Sequence, residues 1–109
     1  MVDNKLSSDL LRGHTDTMIL KLLIGSDQYG YEIIKLINHN SQGEYELKEA
    51  TMYSGLKRLE SDGNITWYWG DETQGGRRKY YKITEKGRLT YSENKKNWQY
   101  AKHILDKLL

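Results

Sequence analysis

The chain contains no cysteine and no proline. Without cysteine it can form no disulfide, and it has no thiolate to serve as a nucleophile or as a metal ligand. Without proline, no proline-rich segment marks a linker between domains. No stretch approaches the roughly 18 apolar residues that a membrane-spanning helix requires. These absences predict a soluble protein of the reducing cytoplasm.

The chain is short and almost neutral. Its 109 residues are enough for one domain with a modest core. Its formal net charge is only +2, so the total charge does not indicate a nucleic-acid partner. The cations are clustered, however, because Arg77, Arg78 and Lys79 directly follow Gly75 and Gly76. This run is typical of a hairpin tip that touches phosphate, although a solvated hairpin is the alternative interpretation.

Residues suited to catalysis or metal binding are sparse. His14 and His39 have no partner at the spacing of metal ligands, and His103 has only Asp106 three residues later. A metal site needs three or four converging ligands, so we predict no metal and no cofactor. Three carboxylates lie close together in the sequence, at Glu44, Glu46 and Glu49. No histidine, cysteine or nucleophile-elbow motif accompanies them, so the sequence does not predict an enzyme.

Apolar residues at helical spacing predict two helices in the first part of the chain. The first covers 8–24, with Gly25 just past its end. Its last turns are apolar nearly all round, which is typical of a helix that packs on more than one partner. The second covers about 29–40 and ends at the break formed by 41–43.

Two further helices are predicted on either side of the basic run. One begins at Lys48 or Glu49 and extends to Ser61. Thr84 followed by Glu85 offers an N-cap and an acidic first turn for the other, a long terminal helix that extends to Leu109. Ala50, Tyr53, Leu56, Leu59 and Glu60 follow helical spacing along the third helix, and its apolar stripe is expected to face inward with Tyr53 at the margin.

Alternating residues on both sides of the basic run predict the two strands of a hairpin. Ile65, Trp67 and Trp69 alternate with other residues before the run, and Tyr81 and Ile83 do so after it. We expect both tryptophans to point inward and to fill the core. The short segment 45–47 is predicted to add a third strand at the edge.

The order of helix, helix, helix, hairpin and helix predicts a winged helix-turn-helix fold, mainly α with a small β-hairpin. We assign 1–83 to this DNA-binding domain and 84–109 to a separate C-terminal helix. In such a fold one helix enters the major groove of DNA while the other helices brace it. We expect the third predicted helix to be the one that enters the groove.

The outward side of that helix carries polar and basic residues. Thr51 and Ser54 can bond base edges or phosphates, whereas Lys57 and Arg58 supply attraction to phosphate that depends little on sequence. We therefore predict that double-stranded DNA is the partner. The predicted contacts are Thr51, Tyr53, Ser54, Lys57, Arg58, Gly75, Gly76, Arg77, Arg78 and Lys79.

Four short motifs stand in order along the chain. They are Glu49-Ala50-Thr51-Met52-Tyr53, Lys57-Arg58-Leu59-Glu60, Gly75-Gly76-Arg77-Arg78-Lys79-Tyr80-Tyr81 and Ile83-Thr84-Glu85-Lys86-Gly87. Together they resemble the PadR family of bacterial transcriptional regulators, although each alone would be weak. Members of that family are winged helix-turn-helix dimers and generally repressors. The resemblance implies a recognition helix at 49–61, a wing at 70–79 and a C-terminal dimerisation helix.

The short terminal helix is similar to that of a small subgroup that includes the lactococcal multidrug-responsive regulator. In that relative a tryptophan of the terminal helix lines a flat cavity at the dimer centre, which accepts planar aromatic drugs. Lys95 stands where an aromatic residue is expected and Lys102 where an acid is, so a cationic drug would meet less attraction here. The resemblance implies a homodimer and an effector site formed by Leu10, Gly13, His14, Thr17, Leu20 and Trp98.

The sequence as a whole predicts a DNA-binding transcriptional regulator, a repressor that is relieved by a planar aromatic small-molecule effector bound at the dimer interface. Two alternatives stay open. The fold can serve as a protein-interaction module that docks an acidic protein through its wing. It can also form an aromatic-ligand-binding dimer without specific DNA binding. For Trp98, plain packing at a dimer interface is the competing interpretation.

Overall fold

The computed structural model describes residues 8–71 and 77–109. Most of these residues are helical, and a small antiparallel sheet completes the fold, which confirms the predicted fold class. The elements are α1 (Ser8–Arg12), α2 (Thr15–Gly25), β1 (Gln28–Tyr29), α3 (Gly30–Asn40), α4 (Glu49–Ser61), β2 (Ile65–Trp69), β3 (Lys79–Ile83) and α5 (Glu85–Leu108).

The first predicted helix is interrupted. Gly13 and His14 form a turn between α1 and α2, and the His14 N–H donates to the Leu11 carbonyl at 2.9 Å. The prediction of one continuous helix over 8–24 was wrong, because it ignored the cost of about 1 kcal/mol that glycine imposes in a helix interior. The break places His14 at the N-cap of α2.

The core lies between α2, α3, α4 and one face of the sheet. At Gly55 α4 passes close to α2, because a Cβ added there would lie 3.2 Å from Ile19 Cδ1 and 3.3 Å from Thr15 Cγ2. This close approach turns Gly55 inward, so the buried stripe is Met52, Gly55, Leu56 and Leu59. Of the predicted stripe, Leu56 and Leu59 are buried, whereas Ala50 and Glu60 are exposed; Tyr53, which was expected at the margin, is 47% exposed.

The sheet has the strand order β1-β3-β2, with both pairs antiparallel. Ile65 of β2 pairs with Ile83 of β3, and Trp69 pairs with Lys79. The pairing confirms the predicted hairpin and places its basic end at the end of the sheet far from Ile65.

The predicted edge strand at 45–47 does not form, and β1 occupies the edge instead. Ser41 Oγ donates to the Tyr45 carbonyl at 3.1 Å and accepts from the Tyr45 N–H at 3.0 Å. The two bonds engage the backbone groups that a neighbouring strand would need. Positive φ angles at Gln42 (56°) and Gly43 (77°) turn the chain just before this segment.

Trp67 and Trp69 do not fill the core, contrary to the prediction. They are 39% and 53% exposed, whereas Ile65 on the same side of β2 is 1% exposed. Alternation identifies the face of a strand, but it does not show how far the covering helices extend along it. The exposed rings contact each other edge to face at 5.4 Å, and Lys79 Nζ lies 4.2 Å from the centre of the Trp67 ring.

Helix α5 begins as predicted. Thr84 Oγ1 accepts from the Gly87 N–H at 3.0 Å and donates to the Gly63 carbonyl at 2.7 Å. Gly87 is buried against the body of the protein, because a Cβ there would overlap the Asn64 carbonyl oxygen and lie 2.7 Å from Ile83 Cγ1. Of the helices in 8–71 and 77–109, none is long and apolar enough to cross a membrane.

Candidate nucleic-acid interface and effector cavity

Helix α4 presents several of the predicted DNA contacts to solvent. Ser54 and Lys57 are exposed, and Tyr53 is 47% exposed. Thr51 is partly exposed and lines a small cleft with Tyr45. These side chains are available to a ligand that approaches the outer face of α4.

Arg58 is engaged within the fold. Its Nε donates to Asp16 Oδ2 at 2.9 Å and its Nη2 donates to Asp16 Oδ1 at 2.6 Å. These hydrogen bonds, and then the charge of Asp16, raise the pKa of Arg58 above its ordinary value. Because the guanidinium is paired, Arg58 holds α4 against α2 and has less charge to offer an external phosphate than its sequence position suggests.

A basic and aromatic cleft of about 650 Å³ lies between the start of α3, α4 and β3. Arg78 Cζ lies 4.6 Å from the centre of the Tyr29 ring, and Lys35 Nζ lies 5.6 Å from that of Tyr31. The cleft is lined by Tyr29, Gly30, Tyr31, Lys35, Tyr53, Arg78, Lys79 and Tyr81. Tyr53 belongs to α4, whereas Arg78 and Lys79 belong to the hairpin, so α4 and the base of the hairpin share one face.

Tyr31 and Lys35 of this cleft were not predicted from the sequence. They stand at i and i+4 on α3, on the side away from the buried Ile33 and Ile37. That spacing was a usable signal. An anion in the cleft would also lie beside the N-terminus of α3, where unpaired N–H groups and the helix dipole favour negative charge.

The tip of the wing lies largely outside the described residues, and this includes the predicted contacts Gly75 and Gly76. At its described base the Gly70 N–H donates to the Arg78 carbonyl at 2.7 Å. Arg77 and Arg78 are exposed. The hairpin thus presents cations at the same end as the basic cleft.

A second site lies between α2 and α5. It is an open cavity of about 370 Å³. His14 meets Trp98 edge to face, with ring centres 5.0 Å apart, and Asn94 Nδ2 donates to Thr17 Oγ1 at 3.0 Å. Its lining comprises Leu11, His14, Thr17, Met18, Lys21, Tyr91, Asn94, Lys95 and Trp98.

The structure brings together three of the residues predicted for the effector site, His14, Thr17 and Trp98. Leu20 does not line the cavity, because its side chain is fully buried in the core. Leu10, which is 62% exposed, and Gly13, which lies in the turn before α2, do not line it either. The prediction missed Leu11, Met18, Lys21, Tyr91, Asn94 and Lys95. Met18 and Lys21 follow His14 at helical spacing, and Lys95, Asn94 and Tyr91 precede Trp98 at the same spacing. Helical spacing could therefore have identified these five residues.

No group of three or more histidine or acidic side chains that could hold a metal ion occurs in the described part of the chain.

Comparisons with known proteins agree with this geometry. The profile of the Transcriptional regulator PadR-like family matches residues 19–93. An uncharacterized protein of Lysinibacillus sphaericus is 44% identical over 99 residues, which are 91% of each chain. The Escherichia coli transcriptional regulator YqjI is 34% identical over 83 residues, which are 76% of this chain and 38% of that longer protein.

Solved structures show the same relationship. A transcriptional regulator from Clostridium thermocellum superposes with a TM-score of 0.87 at 45% identity, over 94% of this chain and 96% of that one. A PadR family transcription regulator from Clostridium difficile gives a TM-score of 0.75 at 39% identity, over 88% and 98%. The family consists of transcriptional regulators and not of enzymes. This chain belongs to the PadR-like family of transcriptional regulators.

Proposed function

We propose that this protein is a homodimeric transcriptional repressor that binds operator DNA through α4 and the wing and is released by a small-molecule effector. In this proposal 1–83 form the DNA-binding domain and 84–109 form the dimerisation helix. The observation that carries it is the shared cleft, in which Tyr53 of α4 lies beside Arg78 and Lys79 of the wing. A regulator of this kind acts where the DNA is, in the cytoplasm.

The proposed contacts divide into two groups. Thr51, Ser54 and Lys57 on α4 face the major groove, where they select bases or position the helix on phosphates. Lys35 and Arg78 line the basic cleft and contact the neighbouring phosphates, as the exposed Arg77 does beside it. This division leaves the bidentate pair of Arg58 and Asp16 intact.

The proposed dimer rests on the surface of α5. Its far half has large apolar side chains in water, since Ile104 is 38% exposed, Leu105 47% and Leu108 75%. Burial of such side chains is worth about 25 cal/mol per Å² of apolar surface, so a second copy of α5 is a favourable cover. The short α5 and its Trp98 also support placing the chain in the subgroup of the lactococcal multidrug-responsive regulator.

Helix α2 links the two sites in this proposal. Asp16 bonds Arg58 of α4, and the adjacent Thr17 accepts from Asn94 of α5. An effector that enters the cavity displaces α5 relative to α2 and thereby changes the spacing of the two recognition helices in the dimer. Specific affinity falls when that spacing no longer matches one turn of the duplex, while non-specific attraction remains.

The test is DNA binding by wild-type protein and by a variant with Arg77, Arg78 and Lys79 replaced by alanine, measured by fluorescence anisotropy over a range of salt. The variant should bind all duplexes more weakly, and the slope of log K against log salt should flatten by about 0.9 for each phosphate that the wing no longer neutralises. A control with Lys96, Lys102 and Lys107 replaced by alanine removes the same charge from α5 and should retain affinity. Unchanged affinity of the wing variant would contradict the role of the wing.

Selection of bound duplexes from a random pool tests specificity and symmetry together. We expect an inverted repeat with half-sites about one helical turn apart, since two recognition helices related by a dyad require it. Failure of the wild-type protein to retain any duplex at low salt would favour the protein-interaction module instead.

A further inference from the structure

The cavity between α2 and α5 carries a pattern of charge as well as an aromatic lining. Lys21 of α2 and Lys95 of α5 approach the Tyr91 ring from two helices, with Nζ atoms 5.9 Å and 6.0 Å from its centre. Of the described residues that line the cavity, none is acidic. Two ammonium groups therefore face the same space, and the wall supplies no carboxylate to offset them.

The rest of the wall suits a flat apolar body. Leu11 and Met18 provide aliphatic surface. Trp98 provides a half-exposed indole ring, which the His14 ring contacts edge to face. The volume of about 370 Å³ lies within the range of small-molecule sites, which is roughly 300–1,000 Å³. The site therefore favours an aromatic ligand of two or three fused or linked rings.

The groove that continues beyond Trp98 does not reverse the charge. It passes Lys95 and Lys102 and reaches one carboxylate, that of Asp106. This carboxylate lies 3.6 Å from Lys102 Nζ, so its charge is partly compensated. The groove therefore offers a cation one carboxylate, which already lies beside Lys102.

We infer that the cavity binds planar aromatic anions, such as aryl carboxylates or sulfonates, in preference to aromatic cations. The ring stacks on Trp98, and the anionic group reaches the ammonium groups of Lys21 and Lys95. This inference rests on the proposed effector cavity and adds the charge class of its ligand.

The experiment compares two probes with the same ring and opposite charge, 2-naphthalenesulfonate and 2-naphthyltrimethylammonium, by calorimetric titration of the full chain. At low salt the sulfonate should bind at least about tenfold more tightly, which corresponds to about 1.4 kcal/mol. The preference should shrink as salt rises, because both lysines are exposed. Binding should quench tryptophan fluorescence, and Trp98→Phe should abolish that change.

Charge variants test whether Lys21 and Lys95 cause the preference for the anionic probe. Lys21→Gln with Lys95→Gln should bring the two affinities close together, and Lys21→Glu with Lys95→Glu should favour the ammonium probe. A matched control, Lys96→Gln with Lys107→Gln, removes equal charge from other positions of α5 and should keep the wild-type preference.

Equal or tighter binding of the ammonium probe by the wild-type chain overturns the inference and leaves the proposed effector cavity standing. Binding of neither probe overturns both, while duplex binding, measured separately, decides whether the proposed repressor function survives. If a charge variant fails to fold by circular dichroism, the wild-type comparison of the two probes decides alone.

Discussion

The leucines in the core of the protein body are buried, whereas the leucines in the far half of α5 are exposed to solvent. In the body, Leu56 and Leu59 of α4 are 2% and 1% exposed. On α5, Leu105 and Leu108 are 47% and 75% exposed. The same residue type thus occupies two environments in one short chain. We conclude that the body supplies the stability of the single chain, and that the far half of α5 carries apolar surface that a second molecule can cover.

Hydrogen bonds join the first turns of α5 to the body. The buried Asn64 accepts the Thr84 N–H on its carbonyl at 3.0 Å, and its Oδ1 accepts from Thr90 Oγ1 at 2.8 Å. One turn later Asn94 is bonded to Thr17 of α2. These hydrogen bonds attach the first turns of α5 to the body and form the junction between the two regions.

The largest expected difference comes from replacing one leucine by alanine in each of the two regions and comparing the free energies of unfolding. Leu56→Ala should lower the free energy of unfolding by about 3 kcal/mol, because it leaves a cavity in the core. Leu108→Ala should change it by less than about 0.5 kcal/mol at high dilution, because the side chain is already in water. Urea unfolding followed by circular dichroism measures both. Equal losses at high dilution would erase the contrast between body and helix.

A smaller effect is expected at the junction. Gly87→Ala places a methyl group against the Asn64 carbonyl and Ile83, so either α5 or β3 must move. We expect a loss of about 2 kcal/mol, typical of overpacking. The matched control is Gly13→Ala, since nothing lies within 4 Å of a Cβ at that position. A thermal melt that ranks the two alanines equally would show that the junction tolerates movement.

One ion pair in the body and one on α5 extend the comparison of the two regions, with a smaller expected effect. The pair of Arg58 and Asp16 joins two helices of the body, with side chains 53% and 25% exposed. A double-mutant cycle with Arg58→Gln and Asp16→Asn should give a coupling of about 0.5–1 kcal/mol that declines with salt. The cycle for Lys102 and Asp106 on α5 should give about 0.3 kcal/mol, as for an exposed i, i+4 pair. A larger coupling on α5 would reverse the expected order.

Local signals were enough to predict much of the fold. The cap at Thr84 and the alternation around Ile65 depend on neighbouring residues, and both features appear in the structure. Two of the mispredicted features depend on contacts between distant residues. The burial of Gly55 is set by α2, and the exposure of Trp67 by where the covering helices end, and neither can be read from local spacing.

The candidate sites divide in the same way. Cations near the wing and Trp98 on α5 are visible in the sequence because each belongs to a local pattern or motif. The pairing of Arg58 with Asp16 joins residues 42 positions apart, so no local periodicity predicts it. The effector residues Leu10, Gly13 and Leu20 were predicted from the family resemblance, and the structure places Gly13 in the turn before α2 and buries Leu20 in the core.

The smallest expected effect compares two tyrosines on opposite faces of the sheet, Tyr68, which is 42% exposed, and Tyr81, which is 5% exposed. Tyr68 donates to Asp27 Oδ2 at 2.6 Å, and this hydrogen bond raises the pKa of Tyr68. Burial raises the pKa of Tyr81. In both cases the folded pKa exceeds the unfolded value of about 10, so the resulting stabilisation is complete below about pH 10 and is lost as pH rises through the folded pKa. Asp27→Asn should lower the pKa of Tyr68 alone, because Tyr81 is shifted chiefly by the core around it. A titration of ¹³Cζ-labelled tyrosines by NMR, with Tyr68→Phe for assignment, measures both pKa values. An equal shift of Tyr81 would show that the two faces of the sheet are not independent.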